Sequence, residues 1–305
     1  MKHIFVINPS AGKVDSTLEI SKKVKALPDK IDHEIYITKA PGDATKFIQN
    51  WCRQHPDEPV RFYACGGDGT INEVASGVVG FPQAQMTCYP SGSGNDYIKY
   101  YGTREDFLDI SRLVDGTPHP VDIMKVDGPS FGTRYSINVC NFGFDAMVAK
   151  TMNSVKRKPF IGGSRAYTTG IVKAVFTSRR NLCHVTIDNS DFITKKFLLC
   201  TLSNGQYVGG AFRCAPQSKN DDGLIEACSF SPISLLRFVS LLPTYTKGEH
   251  INSPKCQRFM TLRQGRVVEI NTHKPFDVCI DGEMLSDTRY RIENLHHAVV
   301  FVSPK

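Results

Sequence analysis

A strand-to-helix junction with three glycines around one aspartate constrains this chain more than any other stretch. It reads Gly66-Gly67-Asp68-Gly69-Thr70-Ile71-Asn72-Glu73. The apolar run Val60-Arg61-Phe62-Tyr63-Ala64-Cys65 precedes it, and Ile71, Val74, Ala75 and Val78 follow at helical spacing. Glycines at such a junction let backbone N–H groups approach an anion that a Cβ would hold off. Asp68 puts a negative charge beside that anion. The pairing makes sense when a hard cation, most simply Mg2+, lies between carboxylate and phosphate. The junction lacks the Gly-Lys-Ser/Thr ending of a Walker loop and is not Gly-x-Gly-x-x-Gly. A P-loop ATPase and a dinucleotide dehydrogenase are both disfavoured, and an enzyme that handles a nucleotide is implied.

The first third alternates strand and helix signals. Residues 4–7 read as a buried strand ending at Asn8-Pro9. Ser16 and Glu19 have capping-box spacing ahead of a helix that turns Leu18, Ile20, Val24 and Leu27 inward. Residues 34–38 are strand-like. Asp43 can cap a helix whose apolar face is Ala44, Phe47, Ile48, Trp51 and Cys52. A further strand is expected over 86–89. This pattern predicts a parallel sheet with helices on both faces, and ligands there gather at the carboxyl ends of the strands. The loops starting at Asn8, Gly66 and Pro90 all follow strands, so they should share one edge.

After about residue 121 strand-like runs dominate, at 121–126, 135–140, 182–187, 197–202, 225–230, 266–271, 276–280 and 298–302. They predict a mainly β second domain, a sandwich, interrupted by helices near 145–155 and 166–177. A third apolar helix is expected over 234–242. The predicted division is 1–122 and 123–295, with the last strand, 296–305, free to return to the first domain.

Composition excludes several classes. The 305 residues suffice for two domains. No apolar run reaches the roughly 18 residues of a membrane span, and the apolar part of the N-terminus is too short for a signal peptide. A cytoplasmic location is the default. The ten cysteines form no Cys-x-x-Cys pair and read as small buried thiols. The nine histidines lack His-Glu-x-x-His spacing, which disfavours a zinc hydrolase. The net charge of +7 fits an anionic membrane surface, a nucleic acid or a merely soluble basic surface, and charge alone does not choose.

Four further stretches carry candidate chemistry. Pro90-Ser91-Gly92-Ser93-Gly94-Asn95-Asp96 is a second phosphate-type loop, with Asp96 either a helix cap or a second carboxylate near a metal. Asn8-Pro9-Ser10-Ala11-Gly12-Lys13 is weaker, since Asn-Pro commonly ends a strand. Lys219-Asn220-Asp221-Asp222-Gly223-Leu224 reads first as a hairpin turn, and its aspartates and carbonyls also suit a hard cation. Asp281-Gly282-Glu283 likewise reads first as a turn, and its carboxylates also suit a general base.

In combination and in order, these pieces resemble the diacylglycerol kinase catalytic family, specifically soluble bacterial lipid kinases related to sphingosine and ceramide kinases. The resemblance runs from Asn8-Pro9-x-x-Gly12 through Thr38, Gly42-Asp43-Ala44, the Gly66–Glu73 junction and the Pro90–Asp96 loop. It continues through Val121-Asp122, Asn141-x-Gly143-Phe144-Asp145, Asn204-Gly205, Gly209-Gly210, Ala215-Pro216, Asp221-Asp222-Gly223 and Asp281-Gly282-Glu283. The later motifs separate lipid kinases from NAD kinases, which share the glycine junction.

The resemblance implies a Rossmann-like α/β domain and a C-terminal β-sandwich domain with the active site in the cleft between them. Asn8, Thr38, Gly66, Gly67, Asp68, Gly69, Thr70, Asn72, Glu73, Gly92, Ser93 and Asn95 would bind ATP. Asp68, Asp96 and Asp122 would surround a catalytic Mg2+. Lys219, Asp222 and Leu224 would hold a structural one. Glu283 would be the base, with Asp281 beside it. Ser93 stands where the family usually has threonine, which keeps the hydroxyl.

The implied reaction moves the γ-phosphoryl group of ATP to a lipid hydroxyl, diacylglycerol first, giving phosphatidic acid. Phosphatidylglycerol, a sphingoid base, an undecaprenol-like alcohol and NAD are the alternative acceptors, and a non-catalytic lipid- or nucleotide-binding regulator is the rival of another class. The expected partner is a membrane surface, visited transiently at its inner face through Lys156-Arg157-Lys158, Arg165 and the 234–242 helix. The apolar stripe of that helix, Leu235, Leu236, Phe238, Val239, Leu241 and Leu242, reads first as ordinary core. No nucleic acid is expected, and a homodimer is left open.

Overall fold

The computed structural model describes residues 1–12, 14–92, 94–143 and 181–305. Lys13, Ser93, Asp145, Lys156-Arg157-Lys158, Arg165, the helices expected at 145–155 and 166–177 and the side chain of Leu235 lie outside the described residues. The chain divides into two compact units. One is Met1–Ile123 with Asn220–Asp222 and Leu295–Lys305, and the other is Met124–Lys219 with Gly223–Asn294.

The first unit contains β1 (Lys2–Ile7), α1 (Thr17–Lys25), β2 (His33–Ile37), α2 (Asp43–Gln54), β3 (Val60–Gly66), α3 (Asp68–Val78), β4 (Ala84–Pro90), α4 (Ile110–Val114) and the start of β5 (Thr117–Gly128). The second contains β6 (Gly132–Ser136), β7 (Val139–Gly143), β8 (His184–Ile187), β9 (Ser190–Ile193), β10 (Leu199–Ser203), β11 (Ile225–Phe230), α5 (Leu235–Thr246), β12 (Met260–Gly265), β13 (Val267–Ile280) and the first part of β14 (Glu283–Ser303). The end of β14 belongs to the first unit.

The first unit is the expected parallel sheet, ordered β14-β4-β3-β1-β2. In register, Ile7 lies beside Cys65 and Gly66 beside Pro90. The three glycine-rich loops therefore leave adjacent strands at one edge. Phe5, Phe62, Tyr63 and Ala64 are fully buried, as strands covered on both faces require. α2 buries Ala44, Ile48, Trp51 and Cys52. Phe47 instead stacks on Tyr36, with ring centroids 3.7 Å apart. Gly77 lets α3 approach α2, because a Cβ there would sit 2.8 Å from the Cβ of Ile48.

Local expectations fail at two helix starts. Ser16 makes no capping bond, and the Asp15 carboxylate accepts the Thr17 N–H instead. Leu18 is 78% exposed rather than inward, since only Ile20 and Val24 of α1 face the sheet. Asp43 is the first helical residue, not the cap, and accepts from Lys39 N–H and the Tyr36 hydroxyl.

The second unit is antiparallel, ordered β12-β11-β10-β7-β13-β14, with β8 joined to β13 and β9 joined to β8. Its apolar core takes Phe142, Leu202, Ile225, Val268, Val278, Tyr290 and Ile292. The run 135–140 is two strands, not one. Asp281 accepts the backbone N–H groups of Ile137, Asn138 and Val139 where β6 ends and β7 begins. The two runs 266–271 and 276–280 are one strand, β13, with a register shift between Asn271 and Phe276. β9, β12 and the first half of β14 went unread. β12 is largely exposed, and in β14 Tyr290 and Ile292 are buried between charged neighbours. The 219–224 segment is not a tight hairpin either, because the connection between β10 and β11 runs over 204–224.

Ten free cysteines are all buried. Burial pushes the Cys52 thiol up to about 11 and Cys183 to about 12, so both stay protonated and inert at neutral pH.

Two buried histidines make stability depend on pH. Desolvation lowers both His3 and His250 to about 4, from an ordinary value of 6.5. Between those limits the unfolded chain binds more protons than the folded one, so stability falls as pH falls from about 6.5 towards 4. Acidification from pH 7 to 5.5 should cost about 1 kcal/mol per histidine. Urea midpoints of wild type and His3→Gln, His250→Gln at the two pH values check this, and the double variant should lose clearly less on acidification.

Candidate active site

The edge of the first sheet is built by mutual tethering. Asn8 closes β1 by donating its N–H to Cys65 O, and its Nδ2 donates to Thr70 Oγ1 at 3.0 Å. Gly66 O accepts both Ser91 N–H at 2.9 Å and Gly92 N–H at 3.1 Å. Backbones approach so closely that side chains have no room. A Cβ on Gly92 would lie 2.4 Å from Gly67 Cα, and one on Gly94 would lie 2.6 Å from Asp68 Oδ2. Thr38 sits at the same edge, its N–H donating to Ile7 O.

α3 starts at Asp68, with Gly67 in the cap position. Asp68 Oδ1 accepts the Asp96 N–H at 2.6 Å, which draws the second loop onto the first. Lys99 Nζ donates to Asp96 Oδ1 at 2.6 Å. Asn95, at φ 50, donates Nδ2 to Gly92 O and leaves its buried Oδ1 without a hydrogen-bond partner among the described residues. The buried Ser91 Oγ likewise has no partner among the described residues. Hard carboxylate oxygens, orphaned polar atoms and a cradle that a Cβ would fill together suit a triphosphate with Mg2+. Asn72 is half-buried on the second turn of α3. Glu73 is engaged elsewhere, its Oε2 accepting Ala44 N–H at 3.2 Å and its carbonyl accepting Thr45 Oγ1. It caps α2.

Asp122 is fully buried on β5. One oxygen accepts from His296 Nδ1 and from His297 N–H, both at 2.9 Å. Its own N–H donates to Asn220 O at 2.7 Å, and Asn220 Nδ2 donates to the hydroxyls of Tyr97 and Tyr101. Hydrogen bonds thus connect Asp122 to the residue following Asp96. Sequence reasoning gave Asn220 no role of its own within the 219–224 stretch and missed His296 and His297. The adjacent histidines just before an apolar strand were the only available signal.

In the second unit Ile280 pairs with Glu283 across Asp281 (φ 45) and Gly282 (φ 92), a two-residue hairpin of the type that needs positive φ at both positions. Asp281 also accepts Ser136 Oγ at 2.8 Å and donates its N–H to Val139 O. Its carboxylate anchors the hairpin. Glu283 is exposed beside it. Of the set expected to hold a structural cation, Asp222 falls in the first unit and Lys219 and Leu224 in the second.

Residues 2–126 match the diacylglycerol kinase catalytic domain, and residues 138–302 match the YegS C-terminal NAD kinase beta sandwich-like domain. The chain belongs to the diacylglycerol kinase catalytic-domain family. Its two-part α/β and β-sandwich-like organisation is that family's, and it is a lipid kinase whose acceptor is an alcohol group. A diacylglycerol kinase of Bacillus subtilis is 28% identical over 98% of this chain and 95% of that relative. A probable YegS-like lipid kinase of Klebsiella pneumoniae is 28% identical over 94% and 92%. The fold matches a crystal structure of a putative diacylglycerol kinase from Bacillus anthracis, with TM-score 0.74, 21% identity and coverage of 99% and 96%. Among the described residues no helix of this family member is long and apolar enough to cross a membrane.

Proposed function

We propose that this kinase transfers the γ-phosphoryl group of ATP to the free hydroxyl of diacylglycerol, giving phosphatidic acid, and that it requires Mg2+. The observation that carries the reading is the double loop in which Gly92 and Gly94 leave space against Gly67 and Asp68 while Asp68 holds Asp96. Backbone N–H groups at the start of α3 orient the phosphates, and Asn8 fixes Thr70 in that turn. Asp68 and Asp96 would hold Mg2+, which when bound neutralises charge gathering on the phosphate oxygens. The acceptor oxygen bonds to the γ-phosphorus as the bond to the β–γ bridging oxygen breaks, and ADP leaves. Glu283 takes the hydroxyl proton. Asp281 is a positioning residue, because its carboxylate is occupied by Ser136, Ile137 and Val139.

The acceptor is reached from a lipid surface. On α5 the core expectation divides. Leu241 is buried with Phe238 and Tyr245 packed nearby, whereas Leu236 is 84% and Val239 58% exposed. Their spacing puts both on one face of the helix. Arg237 lies between them in sequence, and the net charge of +7 favours anionic lipid.

The test offers purified protein ATP with diacylglycerol, phosphatidylglycerol, a sphingoid base or NAD and reads product mass. Phosphatidic acid should dominate on mixed anionic vesicles, and should fall severalfold in Leu236→Asp/Val239→Asp with activity on a short-chain soluble acceptor kept. Phosphorylated NAD as the main product overturns the reading.

A further inference from the structure

The first unit gathers a donor set that the kinase reaction does not call for. Asp122, His296 and His297 each offer one ligand atom, and these atoms lie within 4.8 Å of one another. Asp122 is fully buried and held by its N–H bond to Asn220 O at 2.7 Å. The two imidazoles stack, with centroids 3.6 Å apart and planes at 27°. His297 adopts φ 53, a left-handed conformation that this strand needs only here, and its N–H is on the Asp122 carboxylate. Its Nε2 lies 3.2 Å from Asp221 O. Two imidazoles and a carboxylate are the donors of a borderline divalent ion, with Zn2+ foremost, whereas Mg2+ takes oxygen.

We propose that Asp122, His296 and His297 form a three-ligand site for a borderline divalent cation such as Zn2+, with its fourth position open to water. Ligation at His296 Nδ1 replaces the hydrogen bond to Asp122 and leaves the ring proton on Nε2. Ligation at His297 Nε2 gives up the contact with Asp221 O and leaves the proton on Nδ1. Both rings bind as neutral imidazoles, and the carboxylate supplies the only ligand charge. The effect on turnover rests on the kinase reading and on the magnesium role that the family resemblance implies for Asp122. If Asp122 serves the magnesium network of the kinase, Zn2+ held here draws that carboxylate away, and Zn2+ inhibits turnover.

Binding is tested with the metal alone on the whole chain. Co2+ should give the visible absorption of a four-coordinate ion at one per chain, and Zn2+ should bleach it. His296→Gln and His297→Asn should each weaken Zn2+ about tenfold or more against a competing chelator. His184→Gln, an exposed histidine paired with Asp191, should not change it. Equal affinity in wild type and in the His296 and His297 variants, or a Co2+ spectrum of the hydrated ion, overturns the site. The wild-type spectrum decides even if a variant misfolds. Zn2+ should also inhibit phosphoryl transfer more strongly in wild type than in His296→Gln. Tight binding at these residues with turnover untouched supports the site and removes Asp122 from the magnesium set that the family resemblance implies.

Discussion

Replacing Asp68 by alanine should bring phosphoryl transfer down about a thousandfold or more while the protein still melts cooperatively. Two losses coincide. The carboxylate that would hold Mg2+ disappears, and the Asp96 N–H loses its acceptor. Asp68→Asn separates them, because an amide oxygen still accepts that N–H but brings no negative charge. Both variants should be nearly inactive if charge is what matters. Activity restored in Asp68→Asn would assign Asp68 to loop architecture alone, and near-normal activity in Asp68→Ala would remove it from the site. Steady-state rates at saturating ATP, with a thermal melt of each variant, are the measurements.

Glu283→Gln should lower kcat about a hundredfold to ten-thousandfold, the usual share of a general base, with ATP affinity little changed. Glu283 stands exposed at the first position of β14, so the substitution leaves the hairpin intact. Asp281 holds that hairpin through four hydrogen bonds to 136–139, which is why its neighbour and not Asp281 itself is the group to remove. A large rise in the ATP dissociation constant with kcat preserved would make Glu283 a binding residue.

The parallel sheet of the first unit was legible because its strands are continuous apolar runs and its helices have clean period. Those signals are local. The three loops could be placed on one edge from strand order alone. The second unit was harder. A carboxylate 142 residues away in sequence from Val139 breaks what looks like one strand into β6 and β7, and no local pattern announces such a partner. Glu73 fits the glycine motif, yet it caps α2, because its helix turns that side chain towards Ala44. Leu236 and Val239 were assigned to core by hydrophobicity, and only packing shows that α5 turns them outward. The Asp122, His296 and His297 cluster joins residues 174 apart, beyond the reach of spacing rules.

The return of the last strand has a consequence for synthesis. Phe301 is fully buried, stacks on Tyr101 at 4.7 Å and meets Tyr97 edge-on, and Thr87 Oγ1 donates to Val302 O. Translation delivers β1 to β4 early, but their outer neighbour emerges only after the whole second unit. A ribosome that has not yet released Phe301 therefore carries a half-finished first unit, with Tyr97 and Tyr101 still lacking the ring that covers them.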